Sequence, residues 1–248
     1  MKYLLRLSYL GTNYHGFQVQ NNAPTVQRAL CDATRTVFGS DLDVSGCSRT
    51  DSGVHATEFY ASILPTESSP NIPPEALVRA LNSVLPKDIA VLDVRRVPKS
   101  FHVRYYVKSK EYIYRILNSP LRDPFLADRA FHYPQALNAQ LMNEAAQHFV
   151  GTHDFSAFMA SGSKITDAVR TVFSAGVQRD GDFVCFRVCA DGFLYNMVRI
   201  MTGTLIDISQ NGYAPSRIDE ILDSKDRKNA GPTAPPQGLY LNKVIYAD

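Results

Sequence analysis

The chain of 248 residues is poor in the features that mark membrane, secreted and metal-dependent proteins. No apolar run approaches the ~18 residues that a membrane-spanning helix needs. Met1-Lys2-Tyr3 leads directly into the amphipathic Leu4-Leu5-Arg6-Leu7, so neither a secretory nor a transit peptide is expected and the expected location is cytoplasmic. The four cysteines, Cys31, Cys47, Cys185 and Cys189, form no Cys-x-x-Cys pair and are too sparse for a disulfide framework; they read as reduced thiols. The six histidines are scattered and include no His-Glu-x-x-His, and Cys185-x-x-x-Cys189 lacks a second ligand pair, so no metal is expected.

What is present is an ordinary globular composition, 45% hydrophobic and 20% charged, with a formal net charge of only +2. A nucleic-acid binder is commonly more basic than this, but the distribution matters more than the sum. Between Arg95 and Arg115 lie Arg95, Arg96, Lys99, Arg104, Lys108, Lys110 and Arg115 against a single acid, Glu111, interleaved with Phe101, Tyr105, Tyr106, Tyr112 and Tyr114. Such a mixture suits phosphate contact with base stacking. It equally suits a solvated strand pair whose tyrosines face a core.

The apolar period switches repeatedly between about two and about 3.6 residues. Leu5, Leu7 and Tyr9 alternate as a strand. Thr25 can cap a helix carrying Val26, Ala29, Leu30, Ala33 and Val37 before Gly39 stops it. Strands follow from Leu42 and across His55–Leu64, then a helix opened by Pro73 and Pro74, then a strand from Ile89. The second half repeats this order. Tyr112, Tyr114 and Ile116 alternate as a strand, and a helix carries Leu137, Leu141, Ala145, Ala146, Phe149 and Val150 up to Gly151. Thr171–Val177 and Phe183–Cys189 form a hairpin across Asp180-Gly181, helices follow over Met197–Ile206 and near Ile218, and a last strand holds Leu239, Leu241 and Ile245. The expectation is an α+β protein of two tandem ferredoxin-like (β-α-β-β-α-β) halves, residues 1–105 and 106–248, with largely antiparallel sheets. Whether the sheets join into one or line a cleft stays open.

One loop concentrates polar chemistry: Cys47-Ser48-Arg49-Thr50-Asp51-Ser52-Gly53-Val54-His55-Ala56. An isolated Asp-Ser-Gly is ordinarily a turn in which the Asp side chain accepts backbone N–H groups. Arg49 two residues before Asp51 and His55 four after it are more than a plain connection requires. The run Arg49–Ala56 resembles the active-site signature of the tRNA pseudouridine synthase A family. Further blocks resemble that family in the same order: Tyr14-His15-Gly16-Phe17-Gln18, Phe101-His102-Val103-Arg104, Lys110-Glu111-Tyr112-Ile113-Tyr114, His153-Asp154-Phe155, Met197-Val198-Arg199 and Gly238-Leu239-Tyr240-Leu241. The resemblance spans almost the whole chain. Two departures are Ser48, where members commonly have Gly, and Phe17, where they commonly have Trp; neither touches the reactive carboxylate.

The resemblance implies isomerisation of uridine to pseudouridine at positions 38 to 40 of the tRNA anticodon stem-loop, without cofactor, metal or energy source. It implies Asp51 as nucleophile, Arg199 as the cation paired with it, and Tyr112 as the residue that stacks on the base and helps remove the C5 proton. Arg49 would hold the extruded nucleotide, His55 support the loop and Leu241 pack against the base. It also implies a homodimer that grips tRNA across both subunits, in which two copies of the 95–115 stretch add to one basic surface. Read from the residues alone, Arg199 on a helix flank is as well a surface side chain, and Tyr112 a core tyrosine. Three other readings remain: a pseudouridine synthase for another RNA site, a noncatalytic RNA-binding module, and a glycoside hydrolase, which would need a second carboxylate such as Asp154.

Overall fold

The alternation and helical spacing of the apolar residues become ten strands and five helices in a computed structural model that describes residues 1–162 and 165–246. The chain divides into two units, Met1–Lys108 together with the segment from Leu241 onward, and Ser109–Tyr240.

The first unit runs β1 (Lys2–Tyr9), α1 (Val26–Phe38), β2 (Asp43–Gly46), β3 (His55–Leu64), α2 (Pro74–Val84) and β4 (Ile89–Val97), the expected β-α-β-β-α-β order. β1 lies between β3 and β4, antiparallel to both, and β2 pairs antiparallel with the Ala61–Leu64 end of β3. The Thr25 side chain accepts the Arg28 N–H to start α1, and the Gly39 N–H returns to the Arg35 carbonyl to end it. Val26, Leu30, Ala33 and Phe38 turn this helix toward the core, where the Phe38 ring meets that of Tyr3 at 6.0 Å. Each large apolar side chain so buried stabilises the fold by roughly 1.5–3 kcal/mol.

The second unit, from Ser109, takes in β5 (Val107–Leu117) apart from its first two residues, then β6 (Phe131–His132), α3 (Ala139–Gln147), β7 (Gly151–Asp154), β8 (Val169–Asp180), β9 (Phe183–Ala190), α4 (Met197–Asn211) and α5 (Arg217–Ser224). Antiparallel pairing orders its sheet β5-β9-β8-β7, with β6 parallel to the end of β5. The β8–β9 hairpin closes through the two-residue turn Gly181-Asp182, with Asp180 paired to Phe183 and Gly181 at φ +54°. Phe149, Phe155, Phe158 and Phe186 fill its core.

Four details differ from the sequence expectation, the first being the β8–β9 turn, which falls at Gly181-Asp182 and not at Asp180-Gly181 because Asp180 still pairs as a strand residue. α3 ends at Gln147, and Gly151 instead opens β7. The His148 and Phe149 N–H groups bond to the Ala145 and Ala146 carbonyls, three residues back, so the last turn tightens and carries Phe149 into the core without a glycine cap. The short strands β6 and β7 are additions that no periodicity announces. Last, β10 (Leu239–Tyr246) is divided between the units, with Leu239 and Tyr240 in the second and the residues from Leu241 in the first. Side chains of β3 explain the latter: Thr57 Oγ1 donates to the Asn242 side-chain oxygen at 3.0 Å, and Glu58 Oε1 accepts the Val244 N–H at 3.0 Å. Thr57 and Glu58 sit where β3 bulges against β1, the register passing from Leu7–Phe59 to Tyr9–Ala56.

Candidate active site

The Asp51 loop joins β2 to β3 and is held by the segment that follows β1. Tyr9 brings its hydroxyl to 2.8 Å from Thr50 Oγ1. The Phe17 N–H donates to the Thr50 carbonyl at 3.3 Å, and the Gly53 N–H to the Tyr14 carbonyl at 3.1 Å. Val54 N–H closes the turn on the Asp51 carbonyl at 3.2 Å. Two glycines permit this approach: a Cβ at Gly11 would overlap the Val54 carbonyl oxygen, and one at Gly16 would overlap that of Thr50. Gly16 also stands at φ +82°, which L side chains rarely adopt. Backbone therefore lies directly on backbone.

Asp51 is half-buried in this frame and Arg49 is exposed. His55 has no exposed surface, and its Nδ1 accepts the Gly11 N–H at 2.9 Å. That bond places the lone pair on Nδ1 and the proton on Nε2, so this imidazole braces the loop in its neutral form. Leu241 is also fully buried in the first unit. Phe17, the aromatic departure, stacks on Phe59 at 4.4 Å and is 1% exposed, so the residue serves packing and an indole N–H is not required there.

In the second unit Tyr112 is nearly buried on β5, opposite Val188 on β9, with its ring edge-on to Phe193 at 4.9 Å. Arg199 lies in the first turn of α4 between buried Val198 and Ile200. Its Nε donates to the Ala234 carbonyl at 2.7 Å and its Nη1 to Asn196 Oδ1 at 2.8 Å. A guanidinium carries five N–H donors, so these two bonds fix its plane and leave further donors. Asn196 precedes the helix at φ 60°, one of two non-glycine residues at positive φ among the described residues. Arg199 thus sits in a built bracket rather than on a loose flank.

The basic and aromatic stretch separates into two kinds of surface. In the first unit Arg95, Arg96, Lys99, Arg104 and Lys108 are exposed, as are Tyr105 at 78% and Tyr106 at 48%. His102 Nδ1 accepts the N–H groups of both Arg104 and Tyr105 at 3.3 Å, and the Tyr246 hydroxyl donates to the Val103 carbonyl at 2.7 Å, so the turn presenting them is shaped. In the second unit Tyr114 is fully buried and donates to the Pro235 carbonyl at 2.6 Å, and burial pushes its phenol well above the usual range. The Arg115 guanidinium lies 4.7 Å above the Phe183 ring. The tyrosines of this stretch in the second unit thus face a core, whereas those in the first lie on the surface beside the basic side chains.

Asp154 is occupied structurally. Its Oδ1 accepts the Ser156 N–H and hydroxyl at 3.0 and 2.6 Å, and Lys225 Nζ lies 3.0 Å from Oδ2. Ser156 first, with Lys225, holds this carboxyl below the usual carboxylate range. That is a loop anchor and a poor proton donor for glycoside cleavage. Among the described residues no cluster of three or more His, Cys, Asp or Glu could hold a metal ion, and no helix is long and apolar enough to cross a membrane.

Sequence reasoning attaches no role to Gly11, Tyr14, Asp88, Asn196 or Ala234, although the first two lie in or beside a block that resembles the family. The family profile described as tRNA pseudouridine synthase matches residues 7–106 and 145–247. The chain is 46% identical over 243 residues to tRNA pseudouridine synthase A of Thermoanaerobacter sp. (strain X514), covering 98% of each chain. It is 43% identical over 242 residues to the protein of that name from Clostridium acetobutylicum, again covering 98% of both. With tRNA pseudouridine synthase A of Methylacidiphilum infernorum the identity is 42% over 245 residues, 98% of this chain and 95% of the other. A match of this extent, through both units, makes the chain a member of the tRNA pseudouridine synthase family.

Proposed function

We propose that this enzyme isomerises uridine to pseudouridine at positions 38–40 of the tRNA anticodon stem-loop, with Asp51 as the nucleophile. Asp51 bonds to a carbon of the nucleotide and is released again, the N1–C1′ bond breaks, the detached base turns, C5 bonds to C1′, and the C5 proton leaves as N1 regains one, so no atom is gained or lost overall. Nothing in that balance calls for a metal or a cofactor.

The observation that carries the reading is the frame around Asp51. A carboxylate that attacks carbon must be held still, and the loop is tied through Thr50, Gly53 and His55 to one neighbouring segment. In this reading Arg199 supplies the positive charge that keeps Asp51 ionised, and its bracket by Asn196 and Ala234 suits a cation of fixed direction. Tyr112 stacks on the base and takes part in removing the C5 proton. Arg49 is exposed and free to meet phosphate of an extruded nucleotide, His55 holds the loop, and Leu241 packs against the base. Arg104, Tyr105 and Tyr106 suit contact with RNA backbone and bases outside the reacting nucleotide. Action in the cytoplasm as a homodimer belongs to the same proposal.

The test is tritium release from tRNA carrying C5-tritiated uridine. The wild type is expected to release tritium at positions 38–40 and Asp51→Asn to release none. A wild type silent on competent tRNA, or an active Asp51→Asn variant, would sink the reading; the first result would point to an RNA-binding module, the second to a different nucleophile.

A further inference from the structure

We infer that Asp88 is a positioning residue for the Asp51 loop, acting through Tyr14. The inference rests on the reading of Asp51 as the reacting group.

Asp88 stands at the turn leading into β4, 37 positions beyond Asp51 in the chain, yet it grips the segment on which the loop rests. Its Oδ1 accepts the Tyr14 hydroxyl at 2.6 Å, its Oδ2 accepts Asn13 Nδ2 at 3.0 Å, and its backbone carbonyl accepts the Leu10 N–H at 2.9 Å. The hydroxyl bond is short, as expected when the acceptor is a carboxylate. Tyr14 is 7% exposed, and burial first, then Asp88, raises its phenol well above the ordinary range, so it stays a donor.

The other end of Tyr14 meets the loop. Its carbonyl accepts the Gly53 N–H at 3.1 Å, two residues after Asp51, and the Ser52 hydroxyl lies 3.5 Å from the same oxygen. The Tyr14 N–H bonds to the Gly11 carbonyl at 2.9 Å, and Gly11 in turn donates to His55 Nδ1. One tyrosine therefore connects the Asp88 carboxylate to both ends of the 51–55 turn. A simple core tyrosine needs a hydroxyl partner, but not one whose main chain holds a reactive loop. With the Asp88 anchor gone, Tyr14 retains its packing while its hydroxyl and carbonyl lose a fixed direction.

Displacement of a reacting group by a fraction of an ångström to an ångström costs about 10–100-fold in rate. Asp88→Ala and Tyr14→Phe are thus expected to lower kcat for tritium release by about 10–100-fold, with KM for tRNA within about twofold of wild type. The double variant is expected to lose no more than the worse single one, because both cut the same connection. Asp88→Asn keeps an oxygen acceptor for the hydroxyl and is expected to recover most of kcat.

Amide hydrogen exchange on the full chain gives a readout free of activity: exchange at Gly53 is expected to quicken in Asp88→Ala and Tyr14→Phe, while amides of β8 and β9 stay as in wild type. Wild-type kcat in both variants, unchanged Gly53 exchange, or additive losses would overturn the inference. So would a fall in melting temperature that tracks the activity loss in Tyr14→Phe, which removes a single oxygen. If the wild type itself releases no tritium, the assignment of Asp51 fails, whereas the exchange result still decides whether Asp88 steadies the loop.

Discussion

Two segments of this molecule hold a charged side chain in place, and they do so by opposite means. The Asp51 loop in the first unit is fixed through main chain: N–H groups of Gly11, Phe17 and Gly53 tie it down, and glycines let the backbones touch. Arg199 in the second unit is fixed through its own side chain, by Ala234 and by Asn196 at the head of α4. The difference follows from side-chain length. A carboxylate on one methylene reaches little beyond its own backbone, so its place follows that of the loop, whereas a guanidinium on three methylenes needs an external bracket and has donors enough to fill one. Substitutions near Asp51 should therefore act through backbone fit, and those near Arg199 through hydrogen-bond geometry.

The largest effect expected from this contrast is at Gly16. Gly16→Ala adds a methyl group where the Thr50 carbonyl already lies and forces a side chain onto positive φ, for a stability loss of roughly 3 kcal/mol or more. Gly39→Ala isolates the conformational part. Gly39 stands at φ +73° with nothing within 4 Å of an added Cβ, so a loss of only about 1 kcal/mol is expected. Urea denaturation of the two variants separates the contributions. Equal losses would mean that close backbone packing does not steady the Asp51 loop.

The same contrast explains what could be read from the sequence. Thr25, Gly39 and Gly181 announce their caps and turn to within a residue because the signal lies within a few residues of the effect. The two β-α-β-β-α-β halves follow from such local signals repeated. The end of α3 was expected at Gly151 and falls at Gln147, since burial of Phe149 terminates it and burial is a tertiary matter. Strands β6 and β7, of two and four residues, are too short to show a period. Of the residues proposed for the site, the Asp51 and Arg199 motifs are each contiguous and visible. Their supports are not: Tyr14 and Asp88 are 74 residues apart, Arg199 and Ala234 35 apart, and only folding makes them neighbours. Tyr112 and Tyr114 share one alternation and both end up buried, so strand period alone could not separate the tyrosine proposed for the site from its core neighbour.

An intermediate effect is expected at Arg199 itself. Arg199→Lys retains the charge but replaces a planar fork by a single ammonium, which cannot serve Asn196 and Ala234 and still offer a directed donor. A fall in kcat/KM of about 100-fold, equivalent to about 2.7 kcal/mol, is expected at unchanged charge. Steady-state kinetics on tRNA decide it. A lysine variant as fast as wild type would show that charge alone suffices and that the bracket is incidental.

The smallest effect, and the sharpest division, belongs to Asn196. A non-glycine residue in the left-handed region costs about 1–2 kcal/mol, less for Asn than for most, and here its amide oxygen also holds Arg199 Nη1. Asn196→Gly removes the oxygen and the strain together; Asn196→Ala removes the oxygen and keeps the strain. The alanine variant is expected to be about 1 kcal/mol less stable than the glycine variant in denaturant. Both should lose activity equally, by about 10–20-fold, since losing a hydrogen bond to a charged group is worth roughly 1.5 kcal/mol or somewhat more. If activity instead followed stability from one variant to the other, Arg199 would be steadied by the shape of the helix start and not by the bond from its side chain, and the contrast with the Asp51 loop would disappear.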